Sequence, residues 1–219
     1  MEGLQQEHGY ICGVRPKILT LMRSVYDFII KPVSGRYNNT KEIGGVSFVT
    51  NTKIESYKSV SNEGEVIATP LSIVTDIKVG DRVTVHHNVF RRFYDIRGNE
   101  KDSRSHIKDD MYACSVGQIY LYGDNNSHLD YCFVQPVVND DDWSSQKEKP
   151  LTGILRYGNK ALEEHGVHPG MVVGFTPESE FEFVVDGELL YCMKCKNIVL
   201  AYENKGDKTE YNPSWASGC

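Results

Sequence analysis

Apolar residues in this chain fall in short runs, and almost none of them repeats with a helical period. Runs rich in Val, Ile, Tyr and Phe, bounded by Gly, Asn, Asp and Pro, lie at 26–33, 65–68, 82–85, 118–122, 131–138, 171–175, 181–185 and 197–202. Many short β-branched and aromatic runs separated by turn formers predict an all-β sandwich or barrel. The best helical candidate is 160–166, one or two turns ended by Gly166. Between Val184-Val185 and Glu188-Leu189-Leu190, the pair Asp186-Gly187 predicts a tight hairpin.

The apolar pattern also repeats. Phe28-Ile29-Ile30-Lys31-Pro32-Val33 has an echo in Cys132-Phe133-Val134-Gln135-Pro136-Val137, and Gly64-Glu65-Val66 in Gly153-Ile154-Leu155. Ile77 to Val83 is answered by Val167 to Val173, and Tyr112, Ile119 and Leu121 by Tyr191, Ile198 and Leu200. The matches keep their order, while Val33 to Gly64 and Gly80 to Tyr112 are longer stretches than their counterparts. Two copies of one β-unit, the first carrying two longer loops, account for this. The polar, turn-forming segment 123–128 is the natural linker.

Residues 34–63 are crowded with Ser, Asn, Thr and Gly, a composition that buries little surface and marks a mobile or functional loop. Inside it lies one apolar island, Val46-Ser47-Phe48-Val49, directly after Gly44-Gly45. An apolar hook on a flexible tether suits docking in a partner's groove, with ordering entropy moderating each contact and many copies restoring affinity. The same residues also fit one more strand, with Gly44-Gly45 as a hairpin turn and 53–60 pairing back. Both readings stand at this point.

Several of these segments, in this order, resemble the GroES-like co-chaperonins. Arg23-Ser24-Val25-Tyr26-Asp27-Phe28-Ile29-Ile30 is similar to the family's opening strand, and Gly44-Gly45-Val46-Ser47-Phe48 to its Gly-Gly-apolar mobile-loop motif. Gly64-Glu65-Val66-Ile67-Ala68, Val79-Gly80-Asp81-Arg82-Val83 and the closing Gln118-Ile119-Tyr120-Leu121-Tyr122 follow in family order. The resemblance covers 23–122 and, more weakly, 131–203. It implies two tandem GroES-like small β-barrels, the second with shorter loops. The expected division is an N-terminal extension at 1–22, barrels at 23–122 and 131–203, a linker at 123–130 and a tail at 204–219.

Function follows from the resemblance as an expectation. The chain would cap a GroEL-type chaperonin and enclose an unfolded client, with Gly44, Gly45, Val46, Ser47, Phe48 and Val49 docking on the larger partner. Copies would form a homo-oligomeric ring through exposed strand edges; a heptamer is implied by the family alone. ATP hydrolysis would belong to the chaperonin, so neither enzyme activity nor a cofactor is expected of this chain.

The departures point to a divergent, viral type of member. Ser47 stands where the family has an aliphatic residue, a loss of about 1–2 kcal/mol of apolar contact. The second copy's loop, 139–150, has no Gly-Gly-apolar island, and 86–95 is bulkier and more charged than its family equivalent. A structural ring or virion component that kept the barrel without chaperonin binding is the alternative.

Charge and length narrow the remaining classes. The 219 residues carry 24 Lys and Arg against 30 Asp and Glu, a net charge of −6, which disfavours nucleic acid as the main partner. No run of about 18 apolar residues exists for a membrane span, and Met1-Glu2-Gly3-Leu4 does not open a secretory signal. A cytoplasm, the host's for a viral protein, is the expected compartment, and Cys12, Cys114, Cys132, Cys192, Cys195 and Cys219 are expected as reduced thiols.

Other chemistry-bearing residues have plainer readings. Cys192 and Cys195 with His165 and His168 have the spacing of a zinc site, but a CxxC on an extended strand points its thiols to opposite faces. His86-His87 faces the same objection as a ligand pair. Arg91-Arg92 among Phe90, Phe93 and Tyr94 lies in a segment, 86–110, with six basic and five acidic residues. It reads as an intersubunit or loop-anchoring element with cation–π contacts. Asp140-Asp141-Asp142 lacks the spacing of a calcium loop and reads as a solvated turn. No nucleophile elbow, phosphate-cradling loop or metalloprotease motif is present. The tail from 205 onward reads as polar, disordered or reaching to a neighbouring subunit.

Overall fold

The computed structural model describes residues 23–49, 54, 56–141, 144–206 and 208–217. The expected extension at 1–22, with Cys12, lies outside them, as do Asp142, Trp143 and Cys219. The fold is all-β, as the apolar pattern predicts. Its strands are β1 (Phe28–Pro32), β2 (Thr40–Ile43), β3 (Val46–Val49), β4 (Glu63–Ala68), β5 (Arg82–Val85) and β6 (Arg92–Tyr94). There follow β7 (Glu100–Asp102), β8 (His106–Lys108), β9 (Met111–Cys114), β10 (Ile119–Tyr122) and β11 (Asn126–Ser127). The second half holds β12 (Tyr131–Val138), β13 (Glu148–Tyr157), β14 (Val172–Phe175), β15 (Phe181–Val185), β16 (Glu188–Lys194) and β17 (Ile198–Tyr202). Among the described residues there is one short α-helix, α1 (Lys160–Glu163), which starts at Asn159, whose side chain accepts from the Leu162 amide.

The first sheet runs β11-β10-β5-β4-β1-β9-β8 and the second β17-β14-β13-β12-β16-β15. Leaving aside β11, these are one order: β10, β5, β4, β1, β9 and β8 answer to β17, β14, β13, β12, β16 and β15. Register agrees as well as order. Ile30 faces Tyr112 as Val134 faces Tyr191, and Pro32 faces Gly64 as Pro136 faces Gly153. Val85 faces Ile119 as Phe175 faces Ile198. Even the turn into β5 recurs: Gly80 N–H donates to Val66 O at 2.8 Å, and Gly170 N–H to Leu155 O at 2.7 Å.

Among the described residues the α-helix is a single turn, and each sheet gathers a core of its own. Residues from β10 and β9, at distant positions in the first sheet, share one core: Phe28, Ile30, Val66, Val83, Val85, Tyr112, Cys114 and Ile119. The second core holds the repeat equivalents Cys132, Val134, Leu155, Val173, Phe175 and Met193, with Tyr191 and Ile198 packed on it. Among the described residues no ladder joins the end strands of either sheet. Volume is exchanged within the ladders. Phe28 lies opposite Cys114 in the first half, while Cys132 lies opposite Met193 in the second.

Segment 123–130, expected as a linker, turns at Gly123 and Asn125, both at positive φ, and adds β11 to the edge of β10. Tyr120 and Leu121 of β10 then pack on Phe133, Phe183, Val185, Leu190 and Cys192 of the second half. The tail folds onto its own second sheet: Val138 N–H donates to Thr209 O and Tyr211 N–H to Pro136 O, both at 2.8 Å. Asn212 adds a contact, its Oδ1 accepting from Leu189 N–H at 3.0 Å. This part of the tail is therefore ordered within the chain and does not reach outward.

Candidate functional site

The long loop between β1 and β4 is built in two stages. Its stem is zipped: Asn38 N–H donates to Ser59 O at 2.8 Å and Ser61 N–H to Arg36 O at 2.9 Å, with Tyr37 bridging to Val60. Ser59, Val60 and Ser61 are buried. The closing end of the loop is thus core, against the expectation from its polar composition, because Val60 pulls the serines in with it.

Beyond the stem, β2 and β3 form a separate two-stranded hairpin. Thr40 faces Val49 and Ile43 faces Val46, so β3 pairs with the strand before it and, among the described residues, not with 54 or 56–60. Gly44 and Gly45 form the turn at φ +61° and +79°, and a Cβ at either would meet nothing within 4 Å. Two consecutive positive φ values favour the turn whose twist matches a hairpin, and glycine adopts them without strain.

The island is exposed there: Val46 is 56% exposed, Phe48 50% and Val49 61%. Residues two apart on a strand share a face, so Val46 and Phe48 present one apolar pair, with Val49 on the other side. The hairpin therefore splits the four-residue island of the sequence between two faces. Ser47 lies between Val46 and Phe48 in the backbone ladder, opposite Glu42.

The decorated segment 86–110 anchors the stem. Arg36 Nε donates to Phe90 O at 3.1 Å, and its Nη1 donates to Asp102 Oδ1 at 2.7 Å. The same guanidinium lies 5.3 Å from the Tyr112 ring centroid. Arg92 N–H donates to the Tyr37 hydroxyl at 2.8 Å, and Tyr37 donates to Ile54 O at 2.9 Å. The Arg36 hydrogen bond and charge hold the Asp102 carboxyl below the usual carboxylate range. Sequence reasoning placed the cation–π contact among Arg91, Arg92 and their neighbouring aromatics; the structure gives it to Arg36 and Tyr112. Arg36 and Tyr37 carry no local signal for this role, because their partners in 86–110 lie more than fifty residues away.

His86 and His87 do not face apart as a strand would require. Residues 87–89 form a 3₁₀ turn that His86 caps, its Nδ1 accepting from Asn88 N–H, and the two rings stack with centroids 4.4 Å apart. Burial, with the charges of His86 and Arg91, pushes the His87 pKa down to about 4.

The thiols are separated by their packing. Cys192 lies in the cluster between the halves, whereas Cys195 lies in the second core with Cys132. A hydrogen bond to Cys195 and burial hold the Cys132 thiol above the ordinary thiol range. His165 and His168 are exposed, and among the described residues no group of three or more His, Cys, Asp or Glu could hold a metal ion. At the acidic turn, Asp140 pairs with Lys208 at 3.2 Å. Among the described residues, no helix is long and apolar enough to cross a membrane. No protein-family model matches the sequence, and no curated protein matches it.

Proposed function

We propose that this protein is a divergent co-chaperonin of the GroES-like type, built as two tandem small barrels. It caps a GroEL-type chaperonin and encloses an unfolded client while the chaperonin hydrolyses ATP. The observation that carries this reading is the β2–β3 hairpin, which stands apart from both sheets and exposes Val46, Phe48 and Val49 beside a Gly44-Gly45 turn. An exposed apolar hairpin tip on an anchored stem is suited to an apolar groove. A ring of such chains multiplies a weak individual contact by effective concentration.

Among the described residues the second half carries the same framework without a matching exposed apolar hairpin, so the reading gives each chain one hook. Capture by a bacterial-type chaperonin with ATP or ADP tests the reading, and a nucleotide-dependent complex is the expected result. Absence of that complex at every nucleotide state overturns it and leaves a structural ring or virion component.

A further inference from the structure

The repeat relates two places on the molecule, one filled and one open. In the first half the outer side of β10, β5 and β4 seats the hairpin turn between β15 and β16. Arg82, Thr84 and Leu121 line that seat together with Val185 and Asp186 of the turn. Asn125 Nδ2 donates to Asp186 Oδ2 at 3.0 Å, and the Asp186 charge also acts on Arg82. Leu121 is 1% exposed as a result.

Carried through the register of the repeat, Arg82, Thr84 and Leu121 become Val172, Gly174 and Leu200. These three line an open groove of about 600 Å³, with Leu151, Lys149 and Lys208 among its other walls. Leu200 is 53% exposed where Leu121 is covered. An apolar groove rimmed by Lys149, Lys208 and Glu203, with Lys208 already paired to Asp140, thus stands where the first half buries the same surface.

The turn that fills the seat has a counterpart too. β8 and β9 correspond to β15 and β16, and form a shorter hairpin around Asp109-Asp110. Asp109 sits at φ 47° as Asp186 sits at φ 50°. Lys108, Asp109 and Asp110 are exposed, and Ile107 beside them is 52% exposed. Met111, the counterpart of Leu190, follows the turn.

We propose that the groove takes the β8–β9 turn of a second copy of this chain, so that copies join head to tail by repeating the contact each already makes internally. Asp109 and Asp110 meet Lys149 at the rim, as Asp186 meets Asn125 and acts on Arg82. Ile107 and Met111 meet Leu151, Val172 and Leu200. A contact between two different surfaces leaves each copy with one of each to offer, so it propagates into a ring or a filament. The inference gives residues to the ring in the proposed function but rests on the internal repeat. Its test contains no chaperonin, so the two readings fail separately.

Sedimentation velocity and native mass spectrometry of the full chain compare wild type with a groove variant, Leu200→Asp, and a turn variant, Asp109→Lys with Asp110→Lys. Wild type is expected as an oligomer, and each variant to weaken association by about tenfold or more, as loss of a central contact does. Mixing the two variants restores one intact groove and one intact turn per pair, giving dimers and nothing larger. Leu151→Asp replaces Leu200→Asp should the latter not fold. A monomeric wild type, a turn variant as associated as wild type, or a mixture that stays monomeric overturns the proposal.

Discussion

The Tyr57 hydroxyl donates to Glu182 Oε2 at 3.1 Å, tying the loop that bears the exposed hairpin to β15 of the other half. Lys58 reinforces the link, its Nζ 3.6 Å from the same carboxylate oxygen and 4.5 Å from the Trp215 ring centroid. The base of the hook is therefore held from both sides, by Arg36 within its own half and by Glu182 across the seam. Tyr57→Phe removes one half-exposed hydrogen bond, and global stability should change by less than about 1 kcal/mol. Amide exchange at 56–60 should quicken while the cores stay protected. Equal quickening in both cores would show that the link is not local.

The repeat makes a paired prediction about glycine. A Cβ at Gly153 would fall inside contact of the Gln135 carbonyl oxygen and the Val134 Cγ1. At the equivalent Gly64 the nearest atoms are Ile30 Cδ1 at 3.1 Å and the Lys31 oxygen at 3.3 Å. Gly153→Ala should therefore destabilise by about 3 kcal/mol, at the upper end of overpacking costs, and Gly64→Ala by about 1 kcal/mol. Urea denaturation of both variants checks the order, which a similar loss at the two sites would refute.

His87 supplies a pH dependence with a definite sign. Its pKa is lowered to about 4 from 6.5, mainly by burial, so on acidification the unfolded chain takes up the proton first. Stability from this group is present above pH 6.5, falls as pH drops from there toward 4, and is wholly lost below that. Discounted for partial solvent access, the effect is on the order of 1 kcal/mol. Thermal melts at intervals from pH 7 to pH 4 should show the decline, and His87→Gln should flatten it. An unchanged slope in the variant would assign the decline elsewhere.

Phe48→Asp separates hook from framework. The side chain is half exposed on a hairpin that belongs to neither sheet, so stability should move by no more than about 0.5 kcal/mol. Nucleotide-dependent capture by a chaperonin should be lost. Loss of folding together with capture would show that Phe48 packs inward in solution.

Much of the framework was legible because strands of this kind announce themselves locally. The runs at 82–85, 131–138 and 181–185 are strands over those same residues, and Asp186-Gly187 is the turn it looks like. The repeat was legible too, since Pro32 with Gly64 and Pro136 with Gly153 keep one register. Hidden elements were those without apolar alternation. β6, β7 and β8 are short and mostly polar, and Arg36, from far along the chain, joins Arg92 on Asp102 at the β6–β7 ladder. His86-His87 was misjudged because a 3₁₀ turn, and not a strand, carries the second ring. For the candidate site, the sequence showed the glycine pair and the apolar island. Only the ladder of β2 with β3 reveals that two side chains act on one face.

The exchange of volume between Phe28–Cys114 and Cys132–Met193 bears on how far the halves can be treated as spare parts. Transplanting the opening strand of one half into the other would set Phe against Met, or Cys against Cys, crowding one interior and hollowing the next. Only opposite partners moved together would keep either interior filled. A change of volume at one member of either couple therefore calls for the opposite change at its partner across the ladder.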